Sequence, residues 1–319
     1  MTVPVQPPPL PEFLARHRVI LGEGAVIERL RRQPGIVLDP FLVNSAFVYE
    51  PSQREALTAI YRQYLDIGRE RDLPLFMSTP TWRANAPNIA AAGLSGRSVN
   101  ADNVRLLQEL RESAGAYAAK VVIGGMIGCR GDAYRPEEAL GVNEALAFHA
   151  WQADRLAEAG VDFLLGITLP ALSEARGLAA AMAGTGRPYV LSFVARPNGT
   201  LLDGTPLVEA VATIDRSVRP APTAYLINCT HPGFARAALA QADRSAPEAR
   251  RRFIGLLANT AALSPEELDG REQLVGEAPE RFAEAMIEAS RKFGLQVLGG
   301  CCGTDDTHIR CLADRLREE

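Results

Sequence analysis

The sequence has no excess of positive charge. Its 34 Lys and Arg residues are outnumbered by 38 Asp and Glu residues, giving a formal net charge of −4, and this balance argues against a nucleic-acid-binding surface. No stretch stays apolar for about 18 residues, the length that a membrane-spanning helix needs. The proline-rich residues 1–11 lack the apolar core of a secretory signal. We therefore expect a cytoplasmic protein without a nucleic-acid or membrane partner.

Cysteine is scarce, and its number is odd. The chain has five cysteines in 319 residues, and the reducing cytoplasm disfavours disulfides. Clustered cysteines in that setting are more often metal ligands or catalytic groups. Hydrophobic residues make up 47% of the chain and charged residues 23%, which is typical of a soluble enzyme with a large core.

Short apolar segments alternate with longer helical segments along the chain. The candidate strands are residues 18–21, 73–77, 120–124, 161–166, 189–194, 224–228, 253–257 and 295–298. Most are continuously apolar, as expected for parallel strands buried on both faces. The clearest helical patterns, residues 144–159 and 279–293, each end at a glycine. Eight strand–helix units predict an α/β fold of the (β/α)8 TIM-barrel type, which typically needs about 250 residues.

An open, doubly wound sheet is the alternative architecture, but no G-x-G-x-x-G follows the first strand. The prolines of residues 1–12 predict an extended tail, because proline does not fit inside a helix or a central strand. No linker divides the remainder, so residues 13–319 are predicted to form one barrel domain.

Three cysteines stand out because they follow predicted strands. Cys301 and Cys302 are adjacent after the eighth strand, flanked by glycines, and Cys229 follows the sixth. The ends of barrel strands meet at one rim, so we expect the three thiols to converge. A bridge between neighbouring cysteines is strained, whereas three thiolates with a free fourth position describe an open zinc site. A closed zinc knot and buried free cysteines are the structural alternatives.

These motifs resemble the homocysteine S-methyltransferase family over nearly the whole chain after the tail. The resemblance is carried by Gly-Gly-Cys-Cys-Gly-Thr and the upstream Asn-Cys-Thr, with further similar segments at residues 149–153, 159–162, 203–207 and 308–310. It implies a zinc-dependent S-methyltransferase in which Cys229, Cys301 and Cys302 hold Zn²⁺. The metal would bind a small thiol, homocysteine or a relative, as the thiolate that attacks an activated methyl group.

The same resemblance implies the partners. A chain of 319 residues has no room for the folate and cobalamin modules of a large methionine synthase. The methyl donor should therefore be small and already activated, such as S-methylmethionine, another sulfonium compound or a betaine. Trp82 and Tyr134 are candidate contacts for a cationic donor, because aromatic faces attract cations. Asn259 is expected to orient the substrate or the loop backbone. A homo-oligomer is left open.

The sequence departs from the family pattern at two substrate-binding positions. Where the family has an Asp-Gly pair after the first strand, this chain has Gly22 followed by Glu23, and Glu23 is the candidate replacement. Where the family has a Glu-Thr pair, whose glutamate helps hold the amino group of homocysteine, this chain has Ile167 followed by Thr168. Burying an ammonium group without a carboxylate is costly. Either Glu23 and Thr168 hold homocysteine, or the enzyme acts on a different sulfur compound.

The remaining candidates have plainer interpretations. Cys311 lies on the last predicted helix and is predicted to be an inert core thiol, and Cys129 is predicted to be a loop cysteine without a ligand role. His231 is predicted to start a helix, and Arg83 is a candidate contact for an anionic substrate group. A zinc-binding or redox-sensing barrel without catalysis, in which the adjacent cysteines oxidise, is the alternative to an enzyme.

Overall fold

Eight parallel strands close into a barrel in chain order. The computed structural model describes residues 6–263, residue 267 and residues 276–318. The first strand pairs with both the second and the eighth, which closes the sheet. The strands are β1 Ile20–Gly22, β2 Leu75–Ser78, β3 Val121–Ile127, β4 Phe163–Leu169, β5 Tyr189–Phe193, β6 Ala224–Thr230, β7 Phe253–Ala258 and β8 Val297–Gly300. Each overlaps one predicted strand, and the predicted TIM barrel is confirmed.

Helices connect the strands around the barrel. They are α1 Leu10–Arg16, α2 Ile27–Arg31, α3 Pro51–Glu70, α4 Ala86–Ala91, α5 Val99–Ser113, α6 Val142–Glu158, α7 Leu172–Gly184, α8 Leu207–Ser217, α9 Pro232–Ser245, α10 Pro247–Arg250, α11 Pro279–Phe293 and α12 Asp306–Leu316. The two helices predicted most clearly correspond to α6 and α11. Gly294 follows α11 with a φ of 65°, a left-handed conformation that glycine adopts without strain.

Apolar side chains fill both the interior of the barrel and the space between the sheet and the helices. Inside the barrel, the rings of Phe76 and Phe163 have centroids 4.7 Å apart. Other interior side chains are Ile20, Val122, Leu165, Val190, Leu226 and Val297. Because neighbouring residues of a strand point to opposite faces, both faces must be apolar. This requirement explains why the strands appear in the sequence as uninterrupted apolar runs.

The prediction of an extended tail over residues 1–12 is wrong at its end. Residues 6–9 have no regular structure, but α1 begins at Leu10 and contains Pro11 in its first turn. Proline is tolerated there because the first N–H groups of a helix have no partner within the helix. Leu10 and Phe13 are fully buried against the interior of the barrel. Residues 1–5 of that prediction lie outside the described residues.

Gln296 attaches α1 to the amino-terminal end of the barrel. This residue directly precedes β8, and its side-chain amide donates to the backbone carbonyls of Leu14 and His17. The helix therefore closes the end of the barrel opposite to the strand ends that carry the candidate site. Over the ranges that the structure describes, no helix is both long enough and apolar enough to cross a membrane.

Phe13→Ala tests whether α1 is part of the folded core. The substitution should lower the free energy of unfolding by about 3–5 kcal/mol, because it removes a buried ring and leaves a cavity. Urea unfolding followed by circular dichroism measures the change. Ala15→Ser, at an exposed position of the same helix, should change stability by less than about 0.5 kcal/mol. Equal stabilities of the two variants would contradict the buried position of α1.

Candidate metal centre and substrate pocket

Three thiols meet at the carboxyl-terminal rim of the barrel. The Sγ atom of Cys229 lies 3.0 Å from that of Cys301 and 3.7 Å from that of Cys302. All three sulfur atoms lie within 4.8 Å of one another. Cys229 belongs to β6, whereas the other two follow β8, with only β7 between these strands. The structure thus brings together the three cysteines that the sequence singled out.

The spacing of the sulfur atoms fits a bound metal ion. Three thiolates about 2.3 Å from one tetrahedral zinc ion would lie about 3.8 Å apart. The Cys229–Cys302 pair already has nearly this separation, and the Cys229–Cys301 pair would need to open by about 0.8 Å to reach it. All three are free cysteines, and soft thiolates suit zinc. The donor set therefore fits the predicted zinc site.

The thiols influence one another's ionisation. Hydrogen bonds from Cys229 and Cys302 lower the pKa of the Cys301 thiol. Hydrogen bonding to Cys301 raises the pKa of Cys229, and hydrogen bonding to Cys229 raises the pKa of Cys302. One thiolate therefore forms readily and opposes the formation of the next. A dication at the centre would offset this repulsion, so the electrostatics also favour a metal ion.

Cys229 lies in strained backbone. Its φ of 50° falls where the register between β6 and β7 shifts, and Thr168, with a φ of 58°, lies at a similar shift between β4 and β5. Non-glycine residues seldom adopt this conformation. Asn228 connects the two sites: its Oδ1 accepts from the Thr168 N–H at 3.0 Å, and its Nδ2 donates to Thr168 Oγ1 at 2.7 Å. A side chain of β6 thus reaches across β5 to stabilise the strained segment of β4.

The turn after β8 presents the adjacent cysteines. The N–H of Cys302 donates to the Asn259 Oδ1 at 3.1 Å, so Asn259 contacts the loop backbone. Gly303 has a φ of 84°, which allows the chain to reverse at that point. The hydroxyl of Thr304 donates to the carbonyl of Cys301 at 2.7 Å. These bonds fix the turn that holds both sulfur atoms beside β6.

The thiol cluster borders a cavity of about 530 Å³. The four predicted substrate-binding residues all line it: Glu23, Trp82, Thr168 and Asn259. Its apolar lining includes Met126, Ile167, Leu257 and Ala261. Partly accessible charged residues also border it, namely Glu28, Arg31, Arg32 and Asp132. A volume of this size is typical of a small-molecule site, which usually spans about 300–1,000 Å³.

Glu23 supplies a buried carboxyl group to this cavity. It is 8% exposed, and its two oxygen atoms accept hydrogen bonds from the hydroxyl and the backbone N–H of Ser78. Burial raises the pKa of Glu23 to about 8, although the bonds from Ser78 oppose this shift. A Cβ atom on Gly22 would lie only 3.0 Å from Gly299 Cα. Because β1 and β8 approach this closely, position 22 has no room for a side chain, and Glu23 provides the carboxyl group instead.

Arg83 is used within the protein rather than in the cavity. Its guanidinium group donates to the carbonyls of Cys129 at 3.2 Å and Arg130 at 2.7 Å. The same group lies over the Trp82 ring, 4.5 Å from the centroid. The structure thus gives Arg83 contacts within the protein, and its positive charge already covers one face of Trp82.

The other candidates take the plain roles predicted for them. His231 begins α9, where its Nδ1 accepts from the N–H of Gly233 at 3.1 Å. Cys129 lies in a loop and donates to the carbonyl of Gly131 at 3.5 Å, and burial raises the pKa of its thiol to about 12. Cys311 is partly buried on α12 and packs against the core between the sheet and the helices.

Sequence reasoning missed two residues that organise the site. In the sequence, Asn228 is part of the Asn-Cys-Thr motif. In the structure it is fully buried, it hydrogen-bonds to Thr168, and its side chain accepts a hydrogen bond from the Ser192 hydroxyl at 2.7 Å. Ser78 ends β2 and holds Glu23. An amide within an otherwise apolar central strand is the signal that could have identified Asn228, because a buried amide needs partners. Ser78 gives no comparable signal.

Comparisons with known proteins agree with this geometry. A sequence model described as homocysteine S-methyltransferase matches residues 20–316. The chain belongs to the homocysteine S-methyltransferase family. Membership confirms the predicted enzyme class, a methyltransferase.

Individual relatives are similar to the chain at low identity. The chain is 25% identical over 325 residues to homocysteine S-methyltransferase of Escherichia coli K12, covering 96% of this chain and 98% of that protein. It is 24% identical over 332 residues to betaine–homocysteine S-methyltransferase 1 of Bos taurus, covering 97% and 74% respectively. The metallated form of the Escherichia coli homocysteine methyltransferase MmuM superposes with a TM-score of 0.77 at 24% identity, over 97% of this chain and 100% of that structure. That superposition shows a common fold.

Glu23→Gln should change how stability depends on pH. The pKa of Glu23 is about 8 in the folded protein against an ordinary value of 4.5, so between these values the unfolded chain loses a proton that the folded protein keeps. The free energy of unfolding of the unaltered protein should therefore fall as the pH rises through this window. The glutamine variant should lack that part of the decline. Urea unfolding at several pH values measures it.

Glu209→Gln is the matched control, because Glu209 is exposed in the first turn of α8. It should keep the pH dependence of the unaltered protein. Identical slopes for all three proteins would mean that Glu23 does not carry a raised pKa.

Proposed function

We propose that this chain transfers a methyl group from a small activated donor to a small thiol in a zinc-dependent reaction. The thiol cluster carries this proposal, because Cys229, Cys301 and Cys302 converge beside a cavity of suitable size. The names of the relatives support homocysteine as the acceptor, and the bovine relative supports a betaine as one donor. S-methylmethionine and other sulfonium compounds are equally small donors with an activated methyl group.

The three cysteines, which border the cavity, would hold Zn²⁺. When bound, the ion supplies a positive centre that favours loss of the proton from a substrate thiol. Three thiolates carry one more charge than the dication, so the cysteines keep the acceptor sulfur electron-rich. A bond then forms between that sulfur and the methyl carbon while the donor's carbon–heteroatom bond breaks with its electron pair. The thiol proton passes to water.

Aromatic side chains offer a surface for the donor. Trp82 and Tyr134 both line the cavity, and methylated cations are attracted to aromatic faces. One face of Trp82 already carries the guanidinium group of Arg83. The donor is therefore expected to approach Tyr134 or the other face of Trp82.

Two classes of acceptor thiol are compatible with the cavity. An ionised Glu23 could pair with the ammonium group of homocysteine, with Thr168 and Asn259 supplying further acceptors. Ile167 favours a thiol without an amino group, since it lines the cavity and packs within the apolar interior of the barrel. An ammonium group beside that wall would be buried without a partner.

A pair of matched thiols separates these acceptors. Homocysteine and 4-mercaptobutanoate differ only in the amino group, so their kcat/KM ratio reports how the enzyme treats that group. Glu23→Gln should lower kcat/KM for homocysteine about tenfold, equivalent to about 1.4 kcal/mol, and leave the value for 4-mercaptobutanoate within about twofold. Ile167→Glu should shift the ratio toward homocysteine, because it adds a carboxylate to the apolar wall.

The unaltered enzyme then identifies its own preference. A kcat/KM that is higher for homocysteine than for 4-mercaptobutanoate supports an amino acid acceptor. A lower value supports a thiol without an amino group. If Glu23→Gln reduced activity equally with both thiols, Glu23 would not be a contact of the amino group.

Cys302→Ala tests the metal centre directly. It should abolish retention of zinc, measured by elemental analysis of the purified protein, together with methyl transfer. The circular dichroism spectrum should be unchanged, because the cysteines lie at the rim and not in the interior of the barrel. Cys311→Ala, on α12 outside the cluster, should retain one zinc ion and full activity.

Global unfolding of Cys302→Ala would instead indicate a structural metal. An unaltered protein that holds no zinc, but whose adjacent cysteines oxidise reversibly, would support the redox-sensing alternative.

A further inference from the structure

The loop between β3 and α6, residues 128–141, brings Tyr134 to the thiol cluster. Tyr134 lines the cavity and packs against Cys229, Cys301 and Cys302. Its side chain packs against Cys229, and its hydroxyl group is near enough to the sulfur to act on the charge there. Most of this loop lies outside helices and strands, so the position of Tyr134 depends on what fixes the loop.

Glu174 holds both ends of this loop. It lies in the first turn of α7, in the next strand–helix unit, and is fully buried. Its Oε1 accepts from the N–H of Arg130 at 2.6 Å, and its Oε2 accepts from the N–H of Leu140 at 3.2 Å. One side chain thus joins two backbone positions that are ten residues apart.

His149 fixes this carboxylate from the other side. Its Nε2 lies 3.0 Å from the Oε1 of Glu174, and both side chains are fully buried. Burial alone would raise the pKa of Glu174, but hydrogen bonds from His149, Arg130 and Leu140 bring it below its ordinary value. The carboxylate therefore stays ionised, and its hydrogen bonds to the two loop amides are charge-assisted. Neither Glu174 nor His149 lines the cavity.

The inner part of the loop is closed by its own acidic side chains. The Oδ1 of Asp132 accepts from the N–H of Tyr134 at 2.8 Å, and the N–H of Asp132 donates to Glu138 Oε2 at 2.9 Å. Because these hydrogen bonds close the inner part of the loop, fixing the two ends of the loop also fixes the position of Tyr134.

We propose that Glu174, supported by His149, is a positioning residue that holds Tyr134 against Cys229 and so tunes the sulfur that would bind the metal. The statement about the metal rests on the proposed function, whereas the statement about the loop does not. The dipole of a hydroxyl group beside a ligating sulfur draws electron density from that sulfur. Such outer partners of metal ligands typically contribute 10- to 100-fold to metal affinity or activity.

The experiment compares Glu174→Gln, Tyr134→Phe and the double variant with the unaltered protein. Glutamine cannot accept hydrogen bonds from all three donors, because one of its terminal atoms is itself a donor. In the metal-free proteins, hydrogen exchange should become faster at the Arg130 and Leu140 amides in Glu174→Gln and remain unchanged in Tyr134→Phe.

In the Co²⁺-loaded proteins, the sulfur-to-cobalt charge-transfer band should move to longer wavelength in both single variants, because the Cys229 thiolate loses the neighbouring hydroxyl dipole of Tyr134. Cobalt binding should weaken roughly 10- to 100-fold in each. The double variant should show no larger change than Tyr134→Phe alone, since both substitutions remove the same contact. Glu209→Gln, an exposed first-turn carboxylate on α8, is the control and should match the unaltered protein in every measurement.

Unchanged exchange at the two amides in Glu174→Gln would overturn the proposal, and so would additive spectral shifts in the double variant. Failure of the unaltered protein to bind Co²⁺ would refute the proposed metal function, while the exchange measurement would still decide the role of Glu174 in the loop. If Glu174→Gln does not fold, His149→Leu can replace it, because it removes one of the three hydrogen-bond donors to Glu174. It should produce the same changes with a smaller magnitude. An unchanged band and unchanged exchange in that variant would also overturn the proposal.

Discussion

The site depends on the curvature of a closed sheet. Neighbouring strands lie about 4.8 Å apart, so β6 and β8, with β7 between them, are separated by about 10 Å. The sulfur atoms of Cys229 and Cys301 are nevertheless only 3.0 Å apart. Closure of the barrel brings both side chains to a common rim, where they extend toward each other across β7. The three thiols thus converge at the rim of a sheet that the pairing of β1 with β8 closes.

Local strain accompanies this convergence. Cys229 and Thr168 both have positive φ values at places where the strand register shifts, and such conformations cost of order 1–3 kcal/mol each. Asn228 offsets part of this cost, because its buried amide joins β6 to Thr168 and to Ser192 of β5. Cys229 and Thr168 both border the cavity, so the strain at these two positions lies where a ligand would bind.

The residues around the thiols fall into two groups. Residues of the first group line the cavity and can contact a ligand, and residues of the second group position other side chains. Glu23 belongs to the first group, and its buried carboxyl group faces a cavity whose wall at Ile167 is apolar. Glu174 and His149 belong to the second group and act through the loop that carries Tyr134. A buried and fully bonded carboxylate suits this task, because its hydrogen bonds are strong and their geometry is fixed.

The sequence by itself determined the barrel, the enzyme family and the three cysteines, since apolar strands buried on both faces and a distinctive glycine–cysteine motif are local signals. It failed at α1, where the prolines concealed a helix whose first turn tolerates them. Only the tertiary structure decided that Glu23 faces the cavity, that Arg83 does not, and that Asn228 and Glu174 organise the rim. Those roles arise from contacts between segments far apart in the chain, such as the 44 residues between Arg130 and Glu174, and no local pattern encodes which buried polar groups will meet.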